Sequence, residues 1–288
     1  MNYISDHVPS ESAWPASRLG CMEVGGGNGN VRKRYAMAGL DLYILGRPAA
    51  PNFGGDVHFI SSCASGRITR MLLADVCAPR PLFAELSAAF RWLMARYINS
   101  ISQARLAEEV HGQIRSFWDR GALTTTVMGT FFSPTRSLSL WNAGHPPPLV
   151  YRHSRRSWHL LRRTDAPRVS ASDAAIPLVS KDETQKFSER LEKDDLILCY
   201  SNTVAECASE GRFRNARGLL DQLNQCQADT PHDILTLVSE RLESAGWDSE
   251  GDSTVSLLQL TDRPVSVSSN LLAPFRFLRG VRDRSKLR

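Results

Sequence analysis

Four oxygen-bearing side chains stand where apolar runs begin or stop. Asp56 follows the pair Gly54–Gly55, Asp75 closes the run ITRMLLAD, Asn202 follows LILCYS, and Asp252 lies in SEGDSTV just ahead of the last apolar run. Hard divalent cations take several oxygen ligands, and carboxylates delivered by separate strand ends can converge on one ion. The two glycines before Asp56 allow the backbone to come close to such a site. Taken singly, each aspartate reads as a turn or cap residue. It is their recurrence at strand ends that points to metal chemistry. Asn202 is the odd member. Its carbonyl oxygen can coordinate but brings no charge, and it can also be a plain turn residue.

Other chemistries find little support. The six cysteines (Cys21, Cys63, Cys77, Cys199, Cys207 and Cys226) form no CxxC pair and have no zinc-ligand spacing with histidine. They read as reduced thiols, several of them inside apolar runs. GGGNGN at 25–30 has no strand expected before it and no Gly-Lys-Ser/Thr after it, so it is not a phosphate loop. No GxSxG elbow accompanies His145, which sits in a Gly-Pro turn and reads as structural.

The elements that must position these residues follow from periodicity. LDLYILG (40–46), DVHFIS (56–61) and ITRMLLAD (68–75) read as strands. Pro79 and Pro81 open a helix whose Leu82, Leu86, Phe90, Leu93, Met94 and Tyr97 recur at helical spacing, and a second helix is expected over 101–118. A β run follows: ALTTTVMGTFF, a turn at 133–135, SLSLWNAG, then PPLVYR and SWHLLRR as its continuation. KFSERLE and DLILCYSN read as a hairpin after a polar excursion at 164–184. Two helices are expected near 215–225 and 231–245, the latter with Thr230 as N-cap and Pro231 at its first position. STVSLLQL is the last strand. Strands, two helices, many strands, two helices and a strand make an α+β domain with helices packed over antiparallel sheets.

The chain of 288 residues has a net charge of +5. The tail RFLRGVRDRSKLR (276–288) holds six Lys/Arg against one Asp, so the rest is close to neutral and no nucleic-acid groove is expected. The tail itself reads as a solvated segment or as a contact for an acidic partner or membrane surface. Residues 1–34 are expected to be a flexible Gly-rich arm, 35–261 the domain, and 262–288 a linker with the basic tail. The N-terminus lacks the layout of a signal peptide and no stretch has membrane-spanning length, so a cytoplasmic location is expected.

Five blocks, in order, carry a resemblance: MAGLDLYILGRPAAPNFGGDV, ITRMLLADV, TTTVMGTFFSPTRSLSLWNAGHPPPLVYR, LEKDDLILCYSN and GDSTVSLLQL. Together they resemble the SpoIIE/RsbU-like branch of the PPM (PP2C-type) serine/threonine phosphatases over roughly 37–260, NAGHPPPLV most specifically. The resemblance implies an αββα sandwich of two antiparallel sheets flanked by helices. It also implies two Mg²⁺ or Mn²⁺ ions binding the water that attacks a phosphoserine or phosphothreonine. Residue by residue, it makes Asp56 a ligand of one metal, Asp75 the bridging carboxylate and the Val76 carbonyl a further ligand. The family's Asp-Val-Ser-Gly block stands here as Asp75–Val76–Cys77–Ala78. The family's Thr-Asp-Gly is Ser201–Asn202–Thr203, and its final Asp-Asp-x-Thr is Gly251–Asp252–Ser253–Thr254. Two ligand carboxylates of the same ion are thus replaced, at Asn202 and Gly251. One ion at Asp56 and Asp75 is expected, and a second only if Asp252 supplies the missing ligand.

Two functions remain open. One is a weakened metal-dependent phosphatase acting on a bacterial signalling phosphoprotein, such as an anti-sigma-antagonist-like protein. The other is a pseudophosphatase that keeps the fold to bind a partner.

Overall fold

A computed structural model describes residues 14–19, 22–49, 54–63, 66–98, 103–161, 185–207, 216–244 and 251–264. The polar excursion at 164–184 and the basic tail lie outside them. In chain order the strands are β1 (Ala16–Ser17), β2 (Glu23–Gly27), β3 (Val31–Met37), β4 (Leu40–Arg47), β5 (Asp56–Cys63) and β6 (Ile68–Cys77), followed by helices α1 (Arg80–Arg96) and α2 (Gln103–Trp118). Then come β7 (Leu123–Phe132), β8 (Ser137–Ala143), β9 (Leu149–Arg152), β10 (Ser157–Leu160), β11 (Gln185–Arg190) and β12 (Leu196–Tyr200). Helices α3 (Asn202–Cys207), α4 (Ala216–Gln225) and α5 (Pro231–Ser244) precede the last strand, β13 (Ser253–Leu260).

The strands form two sheets. One runs β1-β3-β4-β13-β12-β9-β10 and the other β11-β8-β7-β6-β5-β2. Every pair is antiparallel except β1 with β3. Side chains alternate across each strand, and that alternation builds four layers. In β5 and β6, Val57, Phe59, Leu72 and Ala74 face α1 and α2, meeting Phe83, Leu86, Phe90, Leu93, Leu106 and Val110. Ile60, Met71 and Leu73 face the other sheet, meeting Leu42, Ile44, Ile197 and Leu258. On the far side Leu198, Tyr200, Val255 and Leu257 pack on Leu219, Leu223, Ile234 and Val238 of α4 and α5. The result is the expected αββα sandwich.

Four expectations are corrected. Residues 16–34 are not an arm from end to end: β1, β2 and most of β3 lie there. VRKRYAM pairs with β4 through its backbone while its charged residues stay half-exposed, so an edge-ward strand can read as a polar tail. KFSER and LILCY do not form a hairpin. β11 pairs with β8 and β12 with β9 and β13, so the chain crosses between sheets at 191–195. Nor do β9 and β10 continue the sheet of β7 and β8; the turn at 144–148 carries the chain into the other sheet. Asn202, expected at a strand–loop junction, opens a short helix.

α5 begins as expected. The Thr230 hydroxyl oxygen accepts the Asp233 backbone N–H at 3.2 Å, and its own proton goes to the Asp233 carboxylate at 2.6 Å.

Candidate metal centre

Asp56 and Asp75 are direct cross-strand partners of β5 and β6, and Asp75 is in turn opposite Thr125 of β7. Alternation puts all three on the face between the sheets, at one end of the sandwich. Asp56 is buried and Asp75 half-buried. The Asp56 carboxyl is held well above the usual carboxylate range, first by burial and then by the negative charge of Asp75, with Asp252 adding to it. Hydrogen bonds from the Thr254 and Ser201 side chains pull the other way. These two hydroxyls come from the opposite sheet, where Ser201 and Thr254 are locked together. The Ser201 N–H donates to the Thr254 carbonyl at 2.9 Å, and the Ser201 Oγ accepts the Thr254 N–H at 3.0 Å. The Ser201 proton is thereby left to point at Asp56.

Asp56 Oδ2 is buried without a hydrogen-bond partner. A buried acceptor of this kind is costly unless something electropositive meets it. The Val76 carbonyl comes one residue past Asp75, and the backbone of Gly55 runs close against it. A Cβ on Gly55 would fall 2.6 Å from the Val76 oxygen, so only glycine leaves that carbonyl uncovered. The Val76 N–H donates to the Gly55 carbonyl at 3.0 Å, which fixes the approach. Two carboxylates and a backbone carbonyl form the kind of oxygen set that a hard cation takes. Among the described residues no group of three or more His, Cys, Asp or Glu is arranged to hold an ion, so the donor set is short of acids.

Asp252 has a different task. Its Oδ1 accepts the Ala49 N–H at 2.7 Å, and its Oδ2 accepts the Gly55 N–H. It ties the loop bearing Gly54 and Gly55 to the head of β13. The Asn28 side-chain amide donates to the Gly54 carbonyl at 3.3 Å on the other side of that loop. Asn202 Nδ2 donates to Asp75 Oδ2 at 3.3 Å, so an amide proton meets the carboxylate. Gly251 faces the side chain of Thr203.

His145 braces the neighbouring turn. Its Nδ1 lies 2.9 Å from the Thr125 hydroxyl, and its backbone N–H and carbonyl are both held at 2.9 Å by the Asn142 side chain. Burial pushes its pKa down to about 3, with the Tyr200 backbone opposing, so the ring is neutral at neutral pH. Thr125 and Asn28 were not legible as site residues, and Ser201, Thr203 and Thr254 appeared only as companions of Asn202 and Asp252 in the matched blocks.

The fold is that of the PP2C-type phosphatases. A model of the stage II sporulation protein E (SpoIIE) family matches residues 82–261, and the chain belongs to that family. The matched stretch includes Asn202, Gly251 and Asp252 and begins after Asp75. Among solved structures, the chain is similar to the RsbU and RsbW domains of Rv1364c from Mycobacterium tuberculosis. The identity is 20%, the TM-score 0.59, and the match covers 79% of this chain and 62% of that one. It is similar to the PP2C phosphatase domain, with a fragment of the regulatory domain, of SpoIIE from Bacillus subtilis at 14% identity and TM-score 0.59, covering 78% and 64%. It is also similar to the catalytic domain of the serine/threonine protein phosphatase PstP in complex with two manganese ions, at 14% identity and TM-score 0.52, covering 77% and 99%. The chain thus spans less than two thirds of the first two structures it matches. No curated protein matches at the sequence level.

Proposed function

We propose that this chain is a metal-dependent protein serine/threonine phosphatase acting on a bacterial signalling phosphoprotein, weakened by the replacements at positions 202 and 251. The observation behind this reading is the Asp56–Asp75 pair. Two carboxyls on adjacent strands, one with a buried oxygen lacking a partner, are hard to rationalise without a cation to relieve them.

Asp56, Asp75 and the Val76 carbonyl are the groups that would hold Mg²⁺ or Mn²⁺. Such an ion supplies Lewis acidity and a water nucleophile at neutral pH for attack on a phosphoester. The chain's own residues do the rest. Ser201 and Thr254 orient Asp56 by hydrogen bonds. Asp252 holds the loop so that Gly55 passes the Val76 carbonyl without covering it. Thr125, locked by neutral His145, fixes the end of β7 beside Asp75. Both sheets contribute, so a phosphorylated side chain would approach at the end of the sandwich where Asp56 and Asp75 lie. A signalling phosphoprotein, such as an anti-sigma-antagonist-like protein, is the substrate class suggested by likeness to RsbU and SpoIIE domains. No helix of the described residues is long and apolar enough to cross a membrane, and we take the cytoplasm as the place of action.

One observation favours a second reading, a pseudophosphatase that binds its partner without turnover. The Asn202 amide already donates to Asp75 and so partly satisfies the carboxylate that a cation would otherwise neutralise. The discriminating experiment is Mn²⁺-dependent release of phosphate from a phosphoserine peptide, wild type beside Asp75→Ala. Activity that disappears in the variant supports the enzyme. Equal background in both supports the pseudophosphatase.

A further inference from the structure

We infer that Thr203 closes the space a second cation's carboxylate needs, so that restoring acids at 202 and 251 does not by itself restore a two-ion site. The inference rests on the reading above of positions 202 and 251 as ligand positions. A Cβ built on Gly251 falls 2.7 Å from Thr203 Oγ1, 3.3 Å from its Cγ2 and 3.6 Å from its Cβ. The first distance is well inside van der Waals contact. Both branches of the threonine lie against the glycine, so of the two other χ1 wells only the one that puts hydrogen at the Oγ1 position relieves the contact, and a helical threonine has few χ1 wells to choose from.

The backbone of Gly251 is not in the left-handed region, so what keeps a side chain out is packing rather than φ. Gly27 and Gly29 give the contrast, since a Cβ at either would meet open space. Gly251 has instead been filled by its neighbour. Thr203 follows Asn202 on α3, and Asn202 holds Asp75. Positions 202, 203 and 251 therefore act as one unit. An amide bonds the carboxylate, a glycine gives up its side chain, and a threonine takes the vacated volume. An aspartate at 251 needs Thr203 to leave.

The test is the number of Mn²⁺ ions bound by the full chain in calorimetric titration, comparing Asn202→Asp/Gly251→Asp with Asn202→Asp/Thr203→Gly/Gly251→Asp. The expected result is one more ion in the triple variant than in the double. Equal numbers overturn the inference. Because three changes can unsettle the fold, a metal-free measurement accompanies it. In EDTA, Gly251→Ala should lower the melting temperature by about 2–4 °C when Thr203 is present and by less than half as much beside Thr203→Gly. Equal shifts in the two backgrounds overturn the Thr203 contact. Absence of Mn²⁺ binding in the wild type overturns the Asp56–Asp75 reading instead, so the two failures are told apart.

Discussion

Asn202 donates its side-chain amide to Asp75 across the gap between the two sheets, 127 residues apart in the chain and 3.3 Å apart in space. A carboxylate at 202 would meet Asp75 as a like charge and require a cation between them. The amide removes that requirement. Asp75 can then keep its place without an ion, while Asp56, with a buried oxygen lacking a partner, still calls for one.

Asp56 makes the metal-free protein sensitive to pH. Its folded-state pKa is raised, first by burial and then by Asp75. The folded state therefore holds a proton that the unfolded state has already released, and stability falls as pH rises from the ordinary carboxylate range toward the raised value. Asp56→Asn should remove that slope. It should also raise the melting temperature of the metal-free protein at pH 7 and abolish stabilisation by Mn²⁺. Thermal melts with EDTA and with Mn²⁺ measure both effects.

His145 and His58 act with the opposite sign. Burial lowers His145 to about 3 and, with Lys33 nearby, His58 to about 4, from an ordinary 6.5. The unfolded chain takes up protons that the fold refuses, so stability is fully present above 6.5 and is lost as pH falls toward these values. His145→Gln should flatten the acid limb between pH 6.5 and 4, leaving the share due to His58. Denaturant melts across that range check it.

Asp252 is a tether for the Gly54–Gly55 loop through two backbone N–H groups. Asp252→Ala leaves both donors without their acceptor and should cost about 1–3 kcal/mol, with weaker Mn²⁺ binding as a consequence. If Asp252 were primarily a ligand, Asp252→Ala would lower Mn²⁺ affinity while leaving the stability of the metal-free protein unchanged.

What the sequence made legible was whatever depends on local pattern. α1 appeared through its apolar stripe, and α5 through Thr230, Pro231 and Asp233. Asp56 and Asp75 stood out because each meets an apolar run at its end. What it hid depends on which sheet a strand joins. β3 has a charged composition suited to a half-exposed strand, and β11 and β12 are neighbours in the chain but belong to different sheets. The site was hidden in the same way. The bond from Asp252 to Gly55 spans 197 residues. The approach of Thr203 on α3 to Gly251 is a matter of ångströms, and no spacing rule reports it.

The α5 cap gives a control away from the site. Thr230→Ala removes the hydroxyl that accepts the Asp233 N–H and should cost about 1 kcal/mol without changing Mn²⁺ binding. Denaturant melts and a metal titration on the same sample test the pair of outcomes.

Asp56 and Asp75 are together the proposed holders of a divalent cation. Calorimetric titration of metal-free protein with Mn²⁺, wild type beside Asp56→Asn and Asp75→Ala, tests it most directly. One saturable site is expected in the wild type, and its loss in both variants. Binding that survives either substitution, or its absence from the wild type, would contradict it.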